Sequence, residues 1–286
     1  MNFATQLRTG RAPVWPKEVA DFLEAVGDAG PSGDNDAIVA FLADLAGDGP
    51  ALELAIGAGR IGLPLAATGI RVDGIDNSPA MVEKLRAKPG GDEIAVTIDD
   101  FADVGVDGRY RLIFLVANTL GNLLTQENQV RCFENVAAHL TDDGAFVVEA
   151  GMPAQFHQLQ NDQYVHAQAV DVGYVALDAL RHDPVGQTLQ ESHIILTNDR
   201  VMLFPIVTRY VWPSEMDLMA RLAGLQLKER WGGWNREPLT SDPRSNCISV
   251  YGRRSQTTVP GGEDDSLVGS PGSDGHAPSG RSGQVK

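Results

Sequence analysis

The stretch ELAIGAGRIG at residues 53–62 carries glycines in the order G-x-G-x-x-G, at Gly57, Gly59 and Gly62. It lies between an apolar run that predicts a strand over 51–56 and a pattern that predicts a helix over 61–67. Glycines at a strand-to-helix turn let backbone N–H groups approach a ligand closely. The glycine pattern therefore predicts a cofactor site, but by itself it does not choose between dinucleotides and other nucleoside cofactors.

Two acidic residues flank this glycine loop. Asp76 ends the second predicted strand, where a pair of ribose hydroxyls would lie in either cofactor class. Glu53 discriminates between the classes, because a carboxylate beside the loop would oppose a pyrophosphate but suits a cofactor with an α-ammonium group and a sulfonium. Arg60 favours a dinucleotide instead, since its cation could bind a phosphate. From the first helical turn, however, the Arg60 side chain can equally point to solvent. Glu53 could also be an acid on a solvated rim.

Strand and helix patterns alternate from Ala51 to Gly151. Near-continuous apolar strands separated by helices are typical of a parallel sheet that is covered on both faces. The alternation then stops, and strand patterns follow at 164–177, 189–196 and 201–210, with a hairpin turn predicted at Asn198-Asp199. A helix at 214–223 and strands at 225–231 and 247–251 complete the pattern. The sequence thus predicts an α/β fold with a small antiparallel β insertion after the fifth strand.

Composition and charge exclude several classes of protein. The net charge of −15 is spread along the 286 residues and would repel a phosphate backbone, so we expect no nucleic-acid partner. No apolar run approaches the roughly 20 residues of a membrane span, and residues 1–16 lack the features of a signal peptide. Cys132 and Cys247 are expected to be buried free thiols, which suits the cytoplasm. The histidines and cysteines show no zinc-ligand spacing, so no metal is expected.

Six stretches in order along the chain resemble one known family. They are LELAIGAGRIGLPLA (52–66), VDGIDNSPAMVEKLRAKPGG (72–91), DDFADV (99–104), ANTLGNLLTQENQVRCFENVAAHL (117–140), GAFVVEAG (144–151) and MDLMARLAGLQLKERWGGWNREP (216–238). Residues 51 to about 253 resemble class I S-adenosylmethionine-dependent methyltransferases, especially small-molecule enzymes of actinobacteria. The resemblance implies a Rossmann-like seven-stranded sheet with helices on both faces, and S-adenosyl-L-methionine as cofactor.

The resemblance also implies roles for individual residues. Glu53, Ala55, Gly57 and Gly59 correspond to the motif that holds the methionine part of the cofactor. Asp76 corresponds to the acid that binds both ribose hydroxyls, with Asn77 beside it. Asp100 and Phe101 correspond to the pair at the adenine, and Asn118 and Thr119 lie where the family places residues below the sulfonium. Ala55 stands where many relatives have glycine.

The substrate side is less well defined by the sequence. The insertion leaves the sheet at its carboxyl edge, so it should form a roof over the substrate. Its aromatic and cationic residues, with two tryptophans near the C-terminus, are candidates for the substrate pocket: Tyr164, Arg209, Tyr210, Trp212, Trp231 and Trp234. For each aromatic residue, core packing is an alternative role. His182 and His193 are the candidates for a general base, should the acceptor need one.

The sequence predicts four parts. Helices within 1–50 would cover the cofactor site, 51–152 and 213–254 would form the core, 153–212 the substrate roof, and 255–286 a disordered tail.

The predicted function is in-line methyl transfer to an N, O or C atom of a small-molecule metabolite, with a homodimer left open. One alternative is an NAD(P)-dependent oxidoreductase, which the glycine pattern allows, although no convincing catalytic tyrosine–lysine pair is present. The other is a catalytically silent S-adenosylmethionine-binding regulatory subunit, which the tail and the acidic surface would suit.

Overall fold

The computed structural model describes residues 11–14, 17, 20–21, 35–158, 160–242 and 245–254. Most residues before Asn35 in the predicted helical region 1–50, and the whole predicted tail at 255–286, lie outside the described residues. One helix of the predicted N-terminal region is described, and it begins at Asn35.

Helices and strands alternate through the first half of the chain as predicted. The α-helices between residues 35 and 254 are α1 (Asn35–Ala46), α2 (Gly62–Ala67), α3 (Pro79–Arg86), α4 (Gln126–His139) and α5 (Pro213–Leu222). The strands are β1 (Ala51–Leu54), β2 (Val72–Asp76), β3 (Ala95–Ile98), β4 (Tyr110–Leu115), β5 (Leu140–Gly151), β6 (Gln163–Asp171), β7 (Tyr174–Asp183), β8 (Thr188–Thr197), β9 (Val201–Arg209), β10 (Leu225–Trp231) and β11 (Asn246–Arg253). Ser78 caps the N-terminus of α3 and Thr125 caps that of α4, each with its hydroxyl accepting a backbone N–H of the first turn.

The large sheet has seven strands in the described part of the chain, in the order β10–β11–β5–β4–β1–β2–β3. Strands β3, β2, β1, β4 and β5 are parallel, whereas β11 runs antiparallel to both β5 and β10. Every residue of β1 and β2 is buried, as is typical of parallel strands in a sheet that is covered on both faces. The predicted α/β fold is confirmed.

Two apolar layers cover the large sheet. On one face, α4 and α5 contribute Phe133, Val136 and Met216 to a core that includes Leu52 and Ile113. On the other face, α1 and α2 pack through Ile38, Phe41, Leu42 and Leu65, and Trp234 joins them. Helices on both faces leave the carboxyl ends of the parallel strands as the open edge, which is where ligands bind in such sheets.

The small sheet is antiparallel and has the order β6–β7–β8–β9, between β5 and α5. The prediction of one strand over 164–177 is wrong, because the chain reverses at Val172-Gly173 and forms two strands. Gly173 has a φ of +79°, a conformation that favours glycine, and a period-2 pattern gives no sign of such a reversal. The predicted turn at Asn198-Asp199 is confirmed, with the Thr197 N–H donating to the Arg200 carbonyl at 2.9 Å.

The small sheet has one covered face and one exposed face. Leu189, Ile195 and Phe204 are buried on the covered face, whereas Val165 and Leu203 on the opposite face are largely exposed. Strand β9 contacts the 3₁₀ turn Thr119–Asn122 that follows β4. The small sheet therefore stands over the carboxyl edge of the large sheet.

Candidate active site

A cavity of about 370 Å³ opens at the carboxyl ends of β1, β2 and β4. Six predicted cofactor residues line it: Glu53, Ala55, Gly57, Asp76, Asn118 and Thr119. The opposite wall comes from the small sheet, through Glu191 on β8 and Ile206 and Thr208 on β9. The cavity thus lies between the glycine loop and the covered face of the small sheet.

Asp76 holds the glycine loop in place. Its Oδ2 accepts the Gly57 N–H at 2.7 Å, and its Oδ1 accepts the Ser78 N–H at 2.8 Å. Burial raises the pKa of Asp76, and the two N–H donors oppose that rise. Gly59 has a φ of +78°, and a Cβ there would lie 2.3 Å from Leu85 Cδ1. The loop therefore needs glycine at this position for both conformation and space.

Glu53 is buried beneath the same loop, with 3% of its surface exposed. Within the described residues its Oε2 has no hydrogen-bond partner. Burial raises the pKa of Glu53 to about 8, against the opposing charge of Arg60. A Cβ at Gly62 would lie 2.6 Å from Glu53 Oε2, so the third glycine leaves room for the carboxylate. Arg60, which could have served a phosphate, donates from Nη1 to Asn35 Oδ1 at 2.7 Å.

The turn after β4 is held by a residue that the sequence analysis missed. Ala117 and Asn118 have φ values of +57° and +55°, which are unfavourable for residues with a side chain. The Ala117 N–H donates to Glu149 Oε2 at 2.7 Å, and Glu149 Oε1 accepts Asn246 Nδ2 at 2.8 Å. Burial raises the pKa of Glu149. The sequence signal for this role was an acidic residue at the end of the buried strand β5. Glu149 lies in the stretch GAFVVEAG (144–151).

The adenine-side candidates lie outside the cavity. Asn77 Nδ2 donates to the Ala12 carbonyl at 3.2 Å, so residues 11–14 pass beside β2. Asp100 and Phe101 follow β3 and are buried. Asp100 Oδ2 has no hydrogen-bond partner in the part of the chain that the structure describes. Burial raises the pKa of Asp100, and the Ala102 N–H opposes that rise.

The unpaired carboxylate oxygens of Glu53 and Asp100 show whether the implied cofactor suits the site. Buried carboxylate oxygens without a donor are costly, and a ligand that brings donors would satisfy them. S-adenosylmethionine carries an ammonium group, ribose hydroxyls and an adenine amino group, which are all donors. A pyrophosphate would instead place negative charge beside Glu53. The residues present therefore fit S-adenosylmethionine better than a dinucleotide.

The candidates for the substrate pocket do not line this cavity. Tyr164 is 44% exposed and stacks on His166. Trp212 precedes α5, Trp231 Nε1 donates to Glu229 Oε2 at 2.9 Å, and Trp234 packs edge-on against Phe41. Trp234 therefore packs in the core, which is the alternative role given above for each aromatic residue.

Arg209 and Tyr210 lie at the base of the small sheet. Arg209 donates to Gln129 Oε1 at 2.5 Å and to Glu215 Oε1 at 2.6 Å, which connects β9 with α4 and α5. Tyr210 is buried, and its hydroxyl lies 3.0 Å from His182 Nε2. Arg209 thus joins β9 to the two helices, Tyr210 packs inside the protein, and neither residue lines the cavity.

The two predicted bases also lie away from the cavity. His182 is buried beside Tyr210 and Phe156. His193 is half-buried on the covered face of the small sheet, with Nδ1 at 2.5 Å from Asp178 Oδ1. Their catalytic roles stay predictions. The sequence did not predict Glu191, Ile206 and Thr208 at the cavity. Strand alternation tells which residues share a face of the sheet, but it does not tell which face is covered.

Two absences hold for the described residues alone. They contain no group of three or more His, Cys, Asp or Glu side chains suited to a metal ion. None of their helices is long and apolar enough to cross a membrane.

Comparisons with known proteins agree with this geometry. Residues 51–144 match a family model described as a methyltransferase domain. The structure of the CcbJ methyltransferase from Streptomyces caelestis is 36% identical in sequence, with a TM-score of 0.75, covering 84% of this chain and 94% of that one. The cypemycin N-terminal methyltransferase of a Streptomyces species is 24% identical over 197 residues, which are 69% of this chain and 80% of the relative.

A third relative shares the fold. The S-adenosylmethionine-bound CalS10, an amino pentose methyltransferase from Micromonospora echinaspora, has a TM-score of 0.55 at 20% identity, covering 87% of this chain and 97% of that one. The predictions of a methyltransferase fold, enzyme and cofactor are confirmed, and neither the oxidoreductase nor the regulatory alternative gains support. With 36% identity across 94% of the CcbJ methyltransferase, the chain belongs to the class I S-adenosylmethionine-dependent methyltransferases.

Proposed function

We propose that this enzyme transfers the methyl group of S-adenosylmethionine to a small molecule bound between the glycine loop and the small sheet. The observation that carries this proposal is the shared cavity, with predicted cofactor residues on one side and β8 and β9 on the other. Its volume of about 370 Å³ lies within the range of small-molecule sites. The roof assigned to 153–212 would then supply the acceptor side of the site.

Individual cofactor residues receive roles on this proposal. Glu53 would hold the α-ammonium group, because its Oε2 is buried and lacks a donor. Asp76 would bind the ribose hydroxyls with the lone pairs that Gly57 and Ser78 leave free. Asp100 would accept from the adenine amino group. Phe101 would pack on the adenine ring.

The remaining cofactor residues shape the space around the reacting atoms. Ala55, Gly57 and Gly59 would let the loop approach the methionine part, with Asn77 beside the ribose. Asn118 and Thr119 would lie below the sulfonium, in the turn that Glu149 holds.

The chain contributes mainly position and exclusion of water. The bound cofactor supplies a methyl group on a positively charged sulfur, which is a good leaving group. The glycine loop, the turn after β4 and the small sheet enclose the acceptor, so that its nucleophilic atom and the methyl carbon approach in line. Such positioning is the dominant contribution, since a displacement of about 1 Å can cost about a hundredfold in rate. The acceptor atom is N, O or C.

A net charge of −15 supports a small-molecule acceptor over a nucleic acid, because the surface repels phosphate. Cytoplasmic location and association as a homodimer stay predictions.

Calorimetry with S-adenosylhomocysteine, NAD and NADP tests the cofactor assignment. We expect S-adenosylhomocysteine to bind and Asp76→Ala to weaken its binding by about 1.5–3 kcal/mol, the magnitude of lost hydrogen bonds to a charged group. Asp92→Ala is the matched control, because Asp92 is exposed in the turn after α3 and should leave affinity unchanged.

Two results would contradict the cofactor assignment. One is an unchanged affinity in a folded Asp76→Ala variant. The other is tight binding of NAD or NADP by the parent enzyme.

A further inference from the structure

The small sheet contributes one charged side chain to the cavity among the described residues. Glu191 on β8 is paired in register with Ile206 on β9, so both side chains lie on the same face. That face also carries the buried residues Leu189 and Phe204, which identifies it as the covered face. Glu191 is therefore a carboxylate on the wall that faces the glycine loop.

The Glu191 carboxylate is not directly paired with any residue in the described part of the chain. It is half-buried and forms no hydrogen bond or salt bridge there. His193 lies two residues further along the same face, but its Nδ1 is bound to Asp178 at 2.5 Å. Burial raises the pKa of Glu191, and the charge of His193 opposes that rise. The enzyme thus retains a partly desolvated carboxylate without a directly paired cation, which costs free energy unless a ligand supplies one.

The charges in the cavity are distributed unevenly. The cations that line it within the described residues, Arg60 and Lys88, lie on the glycine-loop side. Arg60 donates to Asn35, and Lys88 Nζ donates to the Ala58 carbonyl at 3.0 Å. The proposed function already assigns Glu53 and Asp76 to the cofactor. Glu191 is then the carboxylate that remains for the acceptor.

We propose that Glu191 binds the acceptor through a protonated amine, which makes an amine the substrate class of this enzyme. This inference rests on the proposed function. The ammonium gives one proton to the Glu191 carboxylate, and the freed nitrogen lone pair forms the N–C bond with the methyl carbon. The C–S bond breaks with its electron pair on sulfur, so the positive charge passes to the methylated nitrogen. Ile206 and Thr208 form the wall beside the amine.

The test compares three probes on one ring, cyclohexylamine, cyclohexanol and cyclohexanecarboxylate. Binding of each to the full chain saturated with S-adenosylhomocysteine is measured by ligand-observed NMR titration. We expect the parent enzyme to bind the amine about tenfold to a hundredfold more tightly than the alcohol, and the carboxylate least. Glu191→Gln should lose this preference, and Glu191→Asp should keep part of it, because the charge remains.

Controls separate this inference from the proposed function. Glu191→Gln should change the affinity for S-adenosylhomocysteine by less than about twofold, because cofactor contacts come from the other wall. Glu134→Gln removes an exposed carboxylate of α4 and should keep the amine preference. Absence of amine preference in the parent, or its persistence in Glu191→Gln, would overturn the inference and leave the proposed function standing. Failure of the parent to bind S-adenosylhomocysteine would overturn the proposed function itself.

Discussion

At the scale of single residues, the site is dominated by buried carboxylates whose pKa values are raised. Glu53 is the clearest case, since its pKa rises from 4.5 to about 8 on burial. Such a group binds more protons in the folded state than in the unfolded state between these two values. Its contribution to stability is therefore fully present below about pH 4.5 and is lost as pH rises through about 8.

Glu53→Gln should remove this pH dependence. The amide has the same shape and does not titrate, so the free energy of unfolding of the ligand-free variant should fall less than that of the parent between pH 5 and pH 8. Urea unfolding at both values measures the difference. Asp76, Asp100 and Glu149 act in the same direction in both proteins, so the comparison isolates Glu53.

Glu134→Gln is the control for this comparison, because Glu134 is exposed on α4. It should reproduce the pH dependence of the parent. If the stability of Glu53→Gln depended on pH in the same way as that of the parent, Glu53 would be ionised in the ligand-free protein.

At the scale of elements, the ends of the parallel strands are held by side chains from neighbouring strands. Glu149 at the end of β5 fixes the turn after β4 through the Ala117 N–H. It also accepts from Asn246 at the start of β11, and at 3.4 Å from Trp234 Nε1. One buried carboxylate therefore joins three segments that the chain separates widely, and it supports the left-handed residues at the floor of the cavity.

Glu149→Ala should destabilise the protein by about 2–4 kcal/mol, because it leaves buried donors unsatisfied. Binding of S-adenosylhomocysteine should weaken as well, since Asn118 and Thr119 lose the support of their turn. Denaturant unfolding and calorimetry measure the two effects. Glu134→Ala on the exposed side of α4 should change stability by less than about 0.5 kcal/mol. If Glu149→Ala also changed stability by less than about 0.5 kcal/mol, the turn after β4 would hold its conformation without Glu149.

At the scale of the whole molecule, Arg209 attaches the small sheet to the helical layer. Its guanidinium is buried and donates to Gln129 on α4, to Glu215 on α5 and to Gln187 before β8. Burial of a paired charge makes the removal of one partner costly, because the other partner remains desolvated. This arrangement gives Arg209 a structural role that differs from the predicted contact with substrate.

Arg209→Met should lower the free energy of unfolding by about 3–5 kcal/mol, the cost of breaking a buried ion pair. Because the proposed cofactor contacts lie on the large sheet, affinity for S-adenosylhomocysteine should change by less than about twofold in the folded variant. Arg181→Met on the exposed side of β7 is the control and should be near neutral. An Arg209→Met variant of parental stability with impaired acceptor binding would support the original substrate-pocket prediction.

The sequence by itself determined the large sheet and the cofactor loop of this methyltransferase. Both depend on local signals, namely apolar runs alternating with helical periodicity, and glycines at fixed offsets from Glu53. Asp76 lines the cavity and was predicted from its place at the end of the second strand, whereas Asn118 was predicted from the family resemblance.

Only the tertiary structure decided which face of the small sheet covers the cavity. Alternation along β8 places Glu191 and His193 on one face, but it does not tell which of them reaches the cavity. That outcome depends on Asp178, Ile206 and the attachment of Arg209, which are contacts between segments far apart in sequence. Such contacts are set by packing of whole elements, and this is why the sequence predicted residues on the large-sheet wall of the cavity and missed those on its small-sheet wall.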